Sequence, residues 1–256
     1  MVSGRSMLKA GFGMCGCAGC GVFHDLAGLA RADAPVRIHG PGYELRFIGA
    51  QRETVMHGKL AAALDLRTLT KVPHLYAVGP IEELRGEVTI AEGRPSLARV
   101  GTDGAVRVSE SFEAGAPFLV WAQVPTWQTL PIPHEVHSFA ELETFVPRAA
   151  ASAGLDPQQP LPFLIRGEQN LIEFHVLNRV GDAPHGMEMH KKIQVVFELA
   201  QVDAIIVGFH SAAHRGIFTP MDSAMHIHFQ TADNGKSGHI QKLKLGKGLS
   251  LAFPKE

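Results

Sequence analysis

Residues 225–245 read MHIHFQTADNGKSGHIQKLKL, apolar and polar positions alternating around one polar turn. Alternation with a period of two marks a half-buried strand, and Asn234-Gly235 sends such a strand back on itself, so the stretch predicts a β-hairpin. Residues two apart on a strand share a face. His226 and His228 therefore project together, while Met225, Ile227 and Phe229 point the other way. Ten residues lie between His228 and His239. In an unbulged antiparallel register with an even loop, that spacing returns His239 to the face of the first two. Three neutral imidazoles with no fourth protein ligand nearby in sequence suit a catalytic Zn2+, or a similar divalent metal, with one position left open for water or substrate. Read alone, His226 and His228 are also compatible with outward polar positions of an ordinary strand; the third histidine in register favours the metal.

The chain's 256 residues can bury a full core, as one large domain or two closely packed lobes. Lys and Arg total 24 against 25 Asp and Glu, a balance that argues against broad attraction to nucleic acid or anionic membrane and for a small-molecule partner. No run reaches the roughly 18 apolar residues of a membrane span. All three cysteines fall in Cys15-Gly-Cys17-Ala-Gly-Cys20, which leaves none for disulfides in the rest of the chain. With His24 as the nearest fourth ligand, these thiols read as part of a flexible Gly/Ala/Cys-containing tail over residues 1–34 rather than a closed metal site. The tail superficially resembles a secretory signal, with Arg5 and Lys9 early and Ala30-Arg31-Ala32 late. His24 and Asp25 interrupt its apolar core, so the reading favours a cytoplasmic location, with secretion as the alternative.

Strands are predicted at Val36 to Ile48 with a turn at Gly40-Pro41-Gly42, at Leu75 to Val78, Glu87 to Ile90, Val106 to Ser109 and Phe118 to Val124, the last apolar enough to be central. A helix is predicted from about Thr54, as its cap, to Leu66. Ser138 followed by Glu141 is a capping-box pattern opening a second helix, which Pro147 should kink or end. Beyond a loop at Pro157 to Pro162 come Phe163 to Arg166, Leu171 to Leu177, Ile193 to Leu199, Ala204 to Phe209 and the hairpin. The chain thus reads as α+β: mixed but strand-rich, two packed β-sheet lobes with a few helices, and a metal site on the C-terminal hairpin.

LYAVGPIEELRGEVTI (Leu75 to Ile90), PFLIRG (Pro162 to Gly167), VGFHSAAHRGIFTP (Val207 to Pro220) and MHIHF followed by SGH form an ordered set. From about His57 to His239 this set resembles the α-acetolactate decarboxylases, metal enzymes that release carbon dioxide from 2-acetolactate to give acetoin. The resemblance implies one such domain over residues 35–256, a small oxoacid substrate and a homodimer. It makes His226, His228 and His239 the metal ligands, Arg166 a substrate-facing cation and Glu87 an active-site carboxylate. Chemistry agrees with these roles. Loss of carbon dioxide from a β-keto acid leaves an enediolate that a Lewis acid stabilises, an arginine can fork onto a carboxylate, and a buried glutamic acid can return the proton. On their own, Arg166 is equally a surface ion-pair residue and Glu87 a solvated strand residue.

Three departures bear on that resemblance. Gly79-Pro80 stands where the family usually has Gly-Thr. The segment before the metal strand carries His210, His214 and Arg215 in place of a more aromatic stretch. No aligned position supplies the family's second carboxylate, which comes from beyond the last ligand. These open an alternative, a metal-dependent lyase or hydrolase for another small oxoacid or hydroxyacid, with His57, His210 and His214 lining the substrate pocket. A further alternative is a non-catalytic, cupin-like metal-binding barrel, which also begins with His-x-His. His185 and His190 read as part of a loop near the first site.

Overall fold

A computed structural model describes residues 34–256. The tail, its cysteines and the signal-like features lie outside the described residues. In chain order the strands are β1 (Val36–Gly40), β2 (Tyr43–Ile48), β3 (Leu64–Asp65), β4 (Leu75–Pro80), β5 (Glu87–Ala91), β6 (Arg94–Val100), β7 (Val106–Ser109), β8 (Gly115–Ala116), β9 (Leu119–Gln123), β10 (Trp127–Pro131), β11 (Leu161–Leu177), β12 (Gln194–His210), β13 (Met225–Thr231), β14 (Ser237–Lys244) and β15 (Ser250–Pro254). The helices are α1 (Gln51–His57), α2 (Phe139–Ser152) and α3 (Met187–Lys192).

Seven strands form an antiparallel sheet in the order β1-β2-β9-β4-β5-β6-β7, and six form a second in the order β10-β15-β11-β12-β13-β14. The fold is the strand-rich α+β arrangement expected. The second sheet curls until β14 also pairs with the far half of β11. Along its first half β11 pairs instead with β15, Leu164 to Arg166 facing Ala252 to Ser250. One strand therefore serves two neighbours on the same edge.

Alternation in β5 explains how the sheets meet. Val88 and Ile90 pack with Leu66, Leu75 and Trp121 in a core on the outer side of the first sheet. Glu87, Thr89 and Ala91 take the opposite face, and Ala91 joins the main core between the sheets with Phe163, Ile227 and Phe229. A carboxyl and a hydroxyl are thereby buried against the histidine strand by the same parity that buries their apolar neighbours.

Four expectations change in contact with the structure. The first helix is short, ending where Gly58 takes φ 63°, a left-handed C-cap that glycine adopts without penalty, and its N-cap is Ala50 rather than Thr54. The second helix keeps its capping box but runs straight through Pro147 to Ser152. Burial of Leu142, Val146, Ala149 and Ala150 on either side of Pro147 outweighs the one backbone hydrogen bond that the proline removes. Phe163 to Arg166 and Leu171 to Leu177 are one strand, and Gln194 to Leu199 and Ala204 to Phe209 another, because β11 and β12 keep one register on both sides of Asn170 and Gln201. The His185 to His190 segment is partly helical, as α3.

A candidate metal centre at the floor of a cavity

His226 and His228 lie on β13 and His239 on β14, where His228 and His239 are direct register partners. The four-residue loop 232–235 is even, as the parity argument required. The turn is pinned to the first sheet: Asn234 bonds Ser96, Gln230 Nε2 donates to the carbonyls of Thr89 (3.1 Å) and Arg94 (3.0 Å), and Lys236 Nζ donates to that of Val106 (3.1 Å). Such long-range bonds hold the histidine strands at a set depth.

One ligand nitrogen from each of the three histidines lies within 4.8 Å of the others. The Nδ1–H of His226 donates to the Phe218 carbonyl at 2.7 Å, and Nδ1 of His228 is 3.1 Å from Thr89 Oγ1, which also accepts from Ser237 Oγ at 2.9 Å. With its Nδ1 proton so engaged, His226 turns the lone pair of Nε2 inward, 3.1 Å from Nε2 of His228. Burial holds His226 down at about 4 and places His228 and His239 well below the usual histidine range, so all three are neutral, ligand-competent imidazoles at pH 7. The donor set, its burial and the partners on the outer nitrogens suit a divalent metal.

Glu87 sits beside this triad. Its Oε2 is 3.9 Å from His228 Nε2, and its Oε1 is 3.6 Å from Nε2 of His175. The side chain is almost wholly buried, and Oε1 has no hydrogen-bond partner. Burial raises the Glu87 carboxyl well above the carboxylate range, opposed in part by a hydrogen bond from the Leu177 backbone. Burial thus favours its protonated form.

His175 is the residue that sequence reasoning missed. It is the direct partner of His239 across β11 and β14, and the two rings stack at 4.6 Å. The approach depends on Gly238, where a Cβ would lie 2.6 Å from Phe174 Cδ2 and 2.8 Å from the His175 carbonyl oxygen. It depends also on a register shift: Glu173 faces Lys242 while Phe174 faces Ile240, leaving Gln241 as an extra residue. Burial lowers His175 to about 3. The only local signal for it was its alternation with the apolar Phe174 and Val176.

A cavity of about 670 Å³ opens onto the centre. Glu87, His175, His226 and His239 line it with Phe118 and Met221 among the apolar walls. Arg166 is not there. Nine residues, or about 30 Å of extended chain, separate it from His175 along β11. It is half-exposed and paired with Glu92 at 2.5 Å, by a separate surface depression. His57 is exposed at the end of α1. His210 is buried at the end of β12 beside Met225, and His214 bonds Ser211 and stacks on Phe218 at 4.7 Å. None of these three lines the cavity; His214, on the turn after β12, packs against Phe47 and Phe218 instead. His190, expected only as part of a nearby loop, does line it.

The family model for α-acetolactate decarboxylase matches residues 50–254. This chain belongs to the α-acetolactate decarboxylase family. The match removes the cupin-like alternative. Among solved structures, a Staphylococcus aureus protein of unknown function, described as similar to α-acetolactate decarboxylase, superposes with TM-score 0.63 at 13% identity, covering 78% of this chain and 82% of that one. The α-acetolactate decarboxylase of Bacillus subtilis strain 168 gives TM-score 0.58 at 18% identity, covering 77% and 80%. At such identities the likeness establishes the family's fold. No curated protein sequence gives a match. Among the described residues no helix is long and apolar enough to cross a membrane.

Proposed function

We propose that this chain is a divalent-metal-dependent decarboxylase that converts 2-acetolactate, or a closely related 2-hydroxy-3-keto acid, to acetoin and carbon dioxide. The observation that carries the reading is the convergence of His226, His228 and His239 next to a buried carboxyl, Glu87, whose protonated form burial favours. The three histidines would hold zinc or a similar ion. Bound there, it supplies a Lewis acid for the negative charge that develops on the substrate's oxygens as carbon dioxide leaves.

The carbon–carbon bond to the carboxylate breaks, its electron pair moves towards the neighbouring carbonyl oxygen, and the enediolate is quenched by one proton on carbon. Glu87 would deliver that proton: its Oε1 has no competing partner and its burial favours the acid form. His175 stacks on His239 and stands 3.6 Å from Glu87, so it would hold the third ligand's ring in orientation beside the proton donor. Phe118 and the other apolar walls exclude water that would otherwise compete to protonate the carbanion.

The test is acetoin formation by the purified chain. Activity should appear with zinc or manganese, disappear with chelator and be lost in His226→Ala. A metal-loaded protein that leaves acetolactate untouched overturns the substrate assignment. A second reading, another small oxoacid or hydroxyacid on the same centre, is favoured by one observation: the arginine aligned with the family lies outside the cavity, and other polar side chains line it instead.

A further inference from the structure

The cavity lining combines apolar residues, Val55, Pro80, Phe118 and Phe139, with a polar set: the end of β11, the start of β12 and α3 between them contribute His175, His190, Lys191 and Gln194, with Gln241 of β14 donating to Gln194 Oε1 at 3.0 Å. Lys191 is the one lysine or arginine among the residues lining this cavity. The acids on the same lining are otherwise engaged or exposed: Glu87 is buried beside His228, Glu143 accepts from Ser223 Oγ (2.8 Å) and the Ala224 amide (2.6 Å), and Asp222 is exposed. Among these polar lining residues, Nδ1 of His175 and Nδ1 of His190 are both buried without a hydrogen-bond partner, and His175 as a whole is only 5% exposed. Buried polar atoms without partners are costly, and the cation beside them favours a ligand that supplies acceptors.

We infer that the α3 wall, Lys191 with His175 and His190, is the subsite for the carboxylate of a small 2-hydroxy or 2-oxo acid, taking the place that an arginine from β11 does not fill. The inference rests on the reading of the cavity as a site for a small acid but not on its turnover. A carboxylate offers two acceptor oxygens, enough for the ammonium and one imidazole N–H. Lys191 is exposed at the last turn of a short helix, which leaves its flexible stem free to swing over the bound acid.

The experiment is calorimetric titration of the zinc-loaded full chain with 2-hydroxy-2-methylpropanoate, which has no keto group and cannot be decarboxylated by the same route, and with its uncharged amide. Wild type should bind the acid more tightly than the amide. Lys191→Ala should weaken the acid by about tenfold with the amide unchanged, and Lys191→Arg should restore binding to within about threefold. No preference for acid over amide in wild type, or equal weakening of both ligands in Lys191→Ala, overturns the assignment. Acetoin formation is read separately. Acid binding through Lys191 without acetoin sinks the decarboxylase reading and keeps the subsite, whereas acetoin formation with an unchanged KM in Lys191→Ala does the reverse.

Discussion

The two ends of β11 carry the two residues whose roles differ most between sequence and structure. At one end Arg166 lies beside β15, half-exposed, its guanidinium taken by Glu92. At the other His175 lies beside β14, buried, stacked on His239 and facing Glu87. Both sit on the same edge of the same strand. What separates them is which neighbour that edge acquires, since β14 brings the histidine face and β15 brings only the sheet's outer flank. A residue's chemistry on a long strand is therefore assigned by the segment it pairs with, more than by the motif around it.

The sharpest test of the His175 end is Glu87→Gln, which keeps the shape of the acid and removes its transferable proton. It should lower kcat by about 10²- to 10⁴-fold while zinc content, measured by metal analysis, stays at wild-type level. A loss of zinc in step with activity would make Glu87 structural.

Next in size is an effect of acid on the metal-free chain. His226 is held down at about 4 and His175 at about 3, while in the unfolded chain histidine titrates near 6.5. As pH falls below about 6.5 the unfolded state takes up protons that the fold refuses. Stability present in full above that pH is lost progressively towards the folded values, by about 1.4 kcal/mol per pH unit for each histidine that stays neutral. Glu87, raised by burial, has the opposite sign: its contribution is present at low pH and is lost as pH climbs above the ordinary carboxylate range. The histidines outnumber it. The urea midpoint of chelator-treated protein should therefore fall between pH 7.5 and 5.5, and an unchanged midpoint would contradict the buried neutral set.

The comparison itself is tested by paired substitutions on β11. His175→Asn should reduce kcat/KM by about ten- to a hundredfold, as expected when the support of a metal ligand is removed. Arg166→Ala should leave kcat/KM within about twofold and cost at most about 1 kcal/mol, because it breaks one exposed ion pair. Reversed magnitudes would return the catalytic role to the arginine end.

Much of this was legible in the chain. The hairpin, the shared face of His226, His228 and His239, the capping box at Ser138 and Glu141, and the strand at Glu87 follow from period, spacing and local hydrogen bonding, each of which needs only a few neighbouring residues. Helix length was less legible, since Gly58 ended one helix early and burial carried another past Pro147. The sites of His57, His210 and His214 were not legible at all. Their spacing to the metal strand in sequence has no bearing on which way a strand end or a short helix turns them in space.

By itself, the amino-acid order determined the shared face of the three histidines, because strand parity is a local property that survives any arrangement of the rest. Only the tertiary structure decided what meets that triad. The pairing of β14 with the far half of β11 places His175 there, the packing of β5 against β13 buries Glu87 and raises its carboxyl, the connection through α3 supplies His190 and Lys191, and the β15 partnership takes Arg166 away. The physical reason is range: side-chain alternation repeats every two residues, whereas the neighbours of a buried group come from strands tens of residues apart, whose pairing is set by the packing of the whole core.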